Sequence, residues 1–354
     1  MIKIVSGNLL GAEAEAVVNT VNCVGIMGKG IALQFKQTYP ENFTAYERAC
    51  KAQKVVPGKM FVFSTGRLVN PKYIINFPTK RHWKGKSKIE DIKRGLVALV
   101  EEVKTRSIRS IAIPPLGCGL GGLEWSEVKP LIENAFSNLD EVQVLLFAPG
   151  DAPKPDEIKI NTKDPGMTRS RALFIKLIER YCAPGYQLTL LEIQKLAYFL
   201  QEGGEPLRLR FAKMKYGPYA DNLNHVLQRL EGHYIRGYGD RSRKAQIHLL
   251  PDAVKIADAE LAGDSTGTEH LDRVAALIEG FETPYGMELL STVHWVCHES
   301  PSIASDLDKV RASIAAWNER KQNLFTPKHI QVALRRLHDV GWIESSQTVQ
   351  VQDC

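Results

Sequence analysis

A chain of 354 residues exceeds the usual length of one domain, and 44% hydrophobic with 24% charged residues is ordinary globular composition, which sets aside disordered, collagenous and disulfide-scaffold classes. No apolar run approaches the roughly 20 residues that cross a bilayer, and the start Met1-Ile2-Lys3-Ile4-Val5 enters a strand pattern without signal-peptide architecture, so a cytoplasmic protein with no membrane partner is expected. The six cysteines (Cys23, Cys50, Cys118, Cys182, Cys297, Cys354) are scattered without a CxxC pair, and neither a zinc site nor any other metal or cofactor is expected. The net charge of +6 is uneven: residues 1–150 hold 20 Lys and Arg against 13 Asp and Glu, whereas residues 151–354 hold 26 against 27. A polyanionic partner would therefore be drawn to the N-terminal half.

Short apolar or β-branched runs at 2–5, 16–21, 60–64, 73–77, 110–114 and 143–148 predict buried strands. Helical patterns at 30–37, 41–52, 88–106 and 126–138 alternate with them, which predicts a three-layer α/β/α domain over residues 1–150. Pro149, Gly150, Pro153, Pro155 and Pro165 punctuate a polar stretch read as a linker over 151–167. Residues 168–354 then read as mainly α-helical, with helices at 169–182, 188–202, 219–231, 252–262, 268–281, 285–298, 305–320 and 327–340. Short β-like pieces at 207–214, 233–238 and 245–250 suggest a winged-helix relative.

Pro114-Pro115-Leu116-Gly117-Cys118-Gly119-Leu120-Gly121-Gly122 follows a buried strand and precedes a helix. In that setting, backbone N–H groups and the helix dipole suit a phosphate, and four glycines would cost order without return in a plain turn. A second loop, Val24-Gly25-Ile26-Met27-Gly28-Lys29-Gly30-Ile31-Ala32, also links a strand to a helix, but Gly30 stands where a nucleoside-triphosphate loop needs Ser or Thr. No GxGxxG follows the first strand, so the dinucleotide-binding reading fails as well. Two phosphate-suited loops, with Asn19, Thr20 and Asn22 at a strand end, suit a diphosphate flanked by hydroxylated sugars.

Lys80 follows a strand end and Pro78 within the basic run Lys80-Arg81, Lys84, Lys86, Lys88, where neighbouring cations would lower an amine pKa. Its neutral amine could attack an anomeric carbon, or its ammonium could protonate a departing base; the sequence leaves both open. His294 and His298 lie four apart on a predicted helix beside Cys297, but Trp295 breaks the His-Glu-x-x-His pattern, and ordinary packing is the preferred reading.

The succession Gly7-Asn8-Leu9, Val18-Asn19-Thr20-Val21-Asn22, Gly28-Lys29-Gly30-Ile31-Ala32 and Gly117 to Gly122 resembles the macrodomain family. Within it the chain is most similar to the DarG branch and to the terminal ADP-ribose glycohydrolases, whose catalytic lysine lies in a Thr-Lys-Lys or Thr-Lys-Arg context matched by Thr79-Lys80-Arg81. The resemblance implies ADP-ribose binding by Asn8, Leu9, Thr20, Val21, Asn22, Gly28, Gly30, Ile31, Ala32, Leu33, Gln34, Thr79, Gly117, Cys118, Gly119, Leu120, Gly121 and Gly122, with Lys80 catalytic. Two departures stand out. Many macrodomains have Asp where this chain has Asn8, which accepts a hydrogen bond but carries no charge, and the terminal glycohydrolases carry Asp where this chain has Gly121.

In the second half, Leu190–Leu200 followed by Phe211-Ala212-Lys213-Met214-Lys215-Tyr216-Gly217-Pro218-Tyr219 resembles the Panacea-type domain of bacterial antitoxins. Charge there is partitioned: residues 208–244 hold nine basic against three acidic side chains, and 251–300 two against ten. The long acidic run reads as a solvated face, or as a surface for the basic cleft of a toxin. Together the resemblances imply an antitoxin that repairs DNA by removing ADP-ribose from modified bases, with ADP-ribose as product and an ADP-ribosyltransferase toxin of the DarT type as the partner of residues 168–354. Hydrolysis of ADP-ribosylated protein or O-acyl-ADP-ribose, and a non-catalytic reader with a DNA-binding second domain, are the alternatives.

Overall fold

The computed structural model describes residues 1–150, 158–183, 185–186, 188–239 and 246–343. Contacts divide the chain into two compact units, one holding Met1–Asp164 with Gly239 and the other Pro165–Tyr238 and the rest of the described chain from residue 246. No helix among the described residues is long and apolar enough to cross a membrane.

The first unit is built on a six-stranded sheet of β1 (Ile2–Val5), β2 (Ala16–Asn22), β3 (Phe61–Ser64), β4 (Tyr73–Lys80), β5 (Ser110–Ile113) and β6 (Gln143–Phe147), in the order β1-β6-β5-β2-β4-β3. All neighbours are parallel except β3, which runs antiparallel to β4 at the edge. The central strands are buried on both faces, as their β-branched runs require. Helices α3 (Ile89–Thr105) and α4 (Trp125–Phe136) bring Leu96, Leu99, Val128 and Ile132 against Val18, Ile75 and Ile111 on one face. On the other face, α1 (Gly30–Thr38) brings Phe35 to Val17 and Ile74, and α2 (Pro40–Lys51) brings Tyr46 to Val21. The predicted three layers are present.

One close approach fixes the strand that ends in Lys80. Gly95, inside α3, leaves room for the Phe77 ring of β4; a methyl at that position would lie 2.2 Å from the ring. The helix thus seats directly on the strand, and Glu90 and Asp91 in its first turn with Lys104 in its last complement its dipole.

Residues 151–157, with Pro153 and Pro155, lie outside the described residues. The next stretch is bonded to the end of α1 rather than merely solvated: the Thr38 hydroxyl donates to the Lys159 carbonyl (3.0 Å), and Asn161 donates from its backbone to Gln37 (2.8 Å) and from its side chain to Thr38 (2.7 Å).

The second unit contains α5 (Arg169–Cys182), α6 (Leu190–Glu202), α7 (Leu223–Leu230), α8 (Ala253–Glu260), α9 (Ser265–Ile278), α10 (Pro284–Glu299), α11 (Leu307–Trp317), α12 (Glu319–Leu324) and α13 (Pro327–Asp339). Two small antiparallel pairs interrupt them: β7 (Phe211–Met214) with β8 (Gly217–Ala220), and β9 (Ile235–Arg236) with β10 (His248–Leu249). Helix α10 is central, with eleven of its sixteen residues buried, and α6 packs on it behind a Thr189/Glu192 capping box. Three expectations change. Residues 219 and 220, expected to open a helix, end strand β8, and the helix begins at Leu223. The helix expected over 305–320 breaks at Asn318, whose side chain caps α12 by accepting from the Lys321 amide. Helix α9 begins at Ser265 and stops at Ile278, three residues short of the expected end at 281.

Charge inside this unit is paired. Lys321 is fully buried and donates to Glu288 (2.8 Å) and Thr292 (3.1 Å), with Arg320 as the second cation on Glu288. Lys195 of α6 is buried as well and donates to the Pro218 carbonyl, so the two halves of the Panacea-like pattern meet in space. Burial, with Lys321 nearby, pushes the Lys195 amine down to about 7. Of the ten carboxylates in 251–300, six are ion-paired among the described residues: Asp258 with Lys176, Asp264 with Arg169, Asp272 with Arg180, Glu279 with Arg336, Glu288 with Arg320 and Lys321, and Glu299 with Lys213. Asp258, Asp272, Glu279 and Glu299 keep more than half of their side-chain surface in solvent, so this stretch is a solvated face countered in part by its own unit. His294 is buried and shares a 2.8 Å hydrogen bond with the Tyr198 hydroxyl while stacking on His298; burial takes its imidazole down to about 3.

Candidate active site

Strands β2 and β4 are neighbours, and their C-terminal ends bring Asn22 and Lys80 into register, with an irregularity between Val21 and Asn22 that splays the chain into the first glycine loop. Thr79, beside Lys80, is buried, its hydroxyl 3.5 Å from the Val21 carbonyl. The Lys80 ammonium reaches across to the second glycine loop and donates to the Leu120 carbonyl at 2.6 Å. Sequence positions 80 and 117–122 are thereby one site. The Lys80 amine is lowered below its ordinary value first by burial and second by Lys86. Arg81 does not contribute to that lowering; its guanidinium is paired with Asp91 at 3.2 Å.

The second loop is held by its own backbone, Cys118 donating to Pro115, Gly122 to Gly119 and Leu123 to Gly117. Gly119 and Leu120 are exposed at its tip, Leu120 to 51%. Burial pushes the half-buried Cys118 thiol up to about 11, which keeps it protonated and unsuited to nucleophilic work. Gly121 donates no side chain and admits none: a β-carbon there would lie 2.1 Å from the Gly117 carbonyl oxygen and 2.3 Å from the Ser87 hydroxyl. The Ser87 amide donates to the Gly121 carbonyl (3.1 Å), while its buried hydroxyl has no partner among the described residues. Ser87 is a neighbour that sequence reasoning passed over, because a serine in a lysine run carries no pattern.

In the first loop, Asn22 is committed to the protein itself. Its side-chain oxygen accepts from the Val24 (3.0 Å) and Ile26 (3.3 Å) amides, its amide donates to the Ile26 carbonyl, and the Tyr46 hydroxyl donates to its backbone carbonyl (2.6 Å). It shapes the loop that leads through Gly28 to α1. That helix begins at Gly30 after Lys29, which supplies no side-chain cap, so Ile31 and Ala32 stand in its first turn. Leu33 and Gln34 follow in the same helix and are buried. Asn8 accepts from the Leu10 amide (3.0 Å) and caps the short 3-10 turn that begins with Leu9. Asn19 is wholly buried and donates to Asn76 (2.9 Å), placing it beneath the sheet's surface; Thr20 and Val21 continue the same strand end.

The loop after β4 carries residues that sequence reasoning also missed. His82 and Trp83 are exposed, with ring centroids 5.5 Å apart, and the Lys84 ammonium lies 4.7 Å from the centre of the Trp83 ring.

The Macro domain family profile matches residues 18–132. A DNA ADP-ribosyl glycohydrolase of Thermus aquaticus is 49% identical over 338 residues, which cover 95% of this chain and 93% of that protein. A DNA ADP-ribosyl glycohydrolase of Mycobacterium tuberculosis is 41% identical over 353 residues, covering 95% and 99%. A DNA ADP-ribosyl transferase-DNA ADP-ribosyl glycohydrolase fusion protein of Thermosipho africanus is 35% identical over 170 residues, 44% of each chain. Because the first two similarities run nearly end to end, the chain belongs to the DarG family of DNA ADP-ribosyl glycohydrolases.

Proposed function

We propose that the N-terminal unit removes ADP-ribose from modified bases of single-stranded DNA, with Lys80 as the reacting group. The observation that carries this reading is the Lys80 contact with Leu120, which joins an amine of lowered pKa to the loop suited to the diphosphate. The Gly119, Leu120 and Gly121 amides and the first turn of α1 hold the two phosphates and neighbouring sugar hydroxyls. Burial and Lys86 favour the uncharged amine, whose nitrogen attacks the anomeric carbon. The bond from that carbon to the base breaks, the base leaves with the electron pair and takes a proton, and water then releases the lysine. Asn8 recognises adenine through a neutral oxygen, which also serves its own turn.

The second unit binds and silences the transferase that makes the modification. Support comes from the Thermosipho protein, whose name joins a DNA ADP-ribosyl transferase to a glycohydrolase in one chain. The test of the catalytic reading is Lys80→Ala. It retains ADP-ribose affinity by calorimetry while release of ADP-ribose from a modified oligonucleotide falls by about 100-fold or more. Full release by that variant overturns the role of Lys80, and faster release from modified protein than from modified DNA overturns the substrate.

A further inference from the structure

The basic run after β4 contains an aromatic pair with no task in the core. Trp83 packs on none of the three apolar clusters of the first unit and keeps 39% of its surface exposed, whereas Trp125 in the same unit lies against the α3/α4 cluster. Around it stand Lys80, Arg81, Lys84, Lys86 and Lys88, and no acidic residue occurs between Lys80 and Ile89. The loop is a fixed ledge. Its start is tied to the first glycine loop by the Cys23 amide donating to the Arg81 carbonyl (3.4 Å), and its end to the second by the Ser87–Gly121 bond. Between them, Gly85 donates to the His82 carbonyl (3.0 Å) and the Lys84 amide to the His82 ring (3.3 Å), which sets the turn that presents both rings.

We propose that Trp83, backed by His82, stacks on the unmodified base next to the ADP-ribosylated one and so makes the site selective for single-stranded DNA, an inference that rests on the DNA glycohydrolase reading above. An aromatic face within a positive groove is what single strands require, because every base offers a π-face and the phosphates offer charge. Paired bases in a duplex cannot open onto it without unstacking. Trp83 lies three residues beyond Lys80, at most about 10 Å along the chain, which is within reach of a nucleotide next to the one under attack. It is therefore a positioning residue for the DNA.

The experiment uses the full chain, a fluorescent unmodified single-stranded oligonucleotide, the duplex of the same sequence, ADP-ribose alone, and the oligonucleotide carrying an ADP-ribosylated base. Trp83→Ala is expected to weaken single-strand binding about 10-fold and to raise KM for the modified oligonucleotide by a similar factor with little change in kcat. ADP-ribose affinity stays as in the wild type, Trp83→Phe recovers most of the loss, and the single-strand preference over duplex shrinks. An unchanged KM and single-strand affinity in Trp83→Ala overturn the proposal, as does a loss of ADP-ribose affinity parallel to the loss of DNA. If the wild type binds the single strand through Trp83 but releases no ADP-ribose from it, the catalytic reading fails while the stacking surface stands.

Discussion

In the first unit the lysines from 80 to 88 form no ion pair among the described residues and only Arg81 is tied to a carboxylate, whereas in the second the acidic stretch 251–300 is bound to cations drawn from α5, β7, α12 and α13. The first unit exposes Lys84, Lys86 and Lys88 on the loop after β4 and buries one carboxylate, Asp91, against Arg81 and Arg94. The second places charge inside its core, at Lys195, Glu288 and Lys321. Charge left exposed and unpaired remains open to a polyanion, while buried paired charge fixes which helices go together and adds little net stability over apolar packing. The same residue types thus serve recognition in one unit and architecture in the other.

The sharpest way to break this contrast is to remove one buried partner. Glu288→Ala leaves Lys321 and Arg320 uncompensated and should cost the second unit about 3–5 kcal/mol. In calorimetry of the full chain, the transition that ADP-ribose does not raise should fall, with ADP-ribose affinity retained. A uniform fall of all transitions would show that the two units do not handle charge separately.

The converse change adds a carboxylate where the first unit has none. Gly119→Glu places an anion at the exposed tip of the second glycine loop and should lower ADP-ribose affinity by about 100-fold or more, through repulsion of the diphosphate that the backbone amides attract. Unchanged affinity by calorimetry would put the diphosphate elsewhere.

The smallest effect is electrostatic tuning of the Lys80 amine, the proposed reacting group. Lys86→Met removes the second cause of the lowered Lys80 pKa and leaves burial, the first, in place. The amine then loses its proton at higher pH, so the alkaline rise in kcat should move upward by less than about one pH unit. A rate that falls rather than rises as the amine deprotonates would assign Lys80 to proton donation.

The elements of the first unit are legible in the sequence because both faces of its central strands are buried, so Val17-Val18, Ile74-Ile75 and Leu145-Leu146 read as unbroken apolar runs between turn residues, whereas the strands at 2–5 and 61–64, expected to be buried, lie at the sheet's edges and are partly exposed. The second unit is legible only helix by helix. Strand β8 escapes notice because Gly217 and Pro218 read as a turn, and its pairing with β7 is specified by contacts from α6 and α10. The break at Asn318 is a capping event inside a continuous apolar periodicity, and the pairing of the acidic stretch needs partners up to 95 residues away, as for Arg169 and Asp264. In the site, loop glycines and Lys80 are visible as motifs. Trp83 and Ser87 are not, since a lone aromatic or hydroxyl in a charged run has no period, and Asn22 looks like a ligand residue although its hydrogen bonds fold the loop.

The seat of Gly121 limits the routes open to this chain over evolutionary time. The family resemblance implies an aspartate at that position in the terminal glycohydrolases, which makes a single exchange look like the route from one type to the other. Here the first atom of any side chain would land 2.1 Å from the Gly117 carbonyl and against Ser87, so the exchange is blocked until the path of the loop from 117 to 121 has itself changed. The two loop types are therefore separated by a barrier of mutual dependence among Ser87, Gly117 and Gly121, and a designer wishing to graft the acid would have to replace the loop as a block.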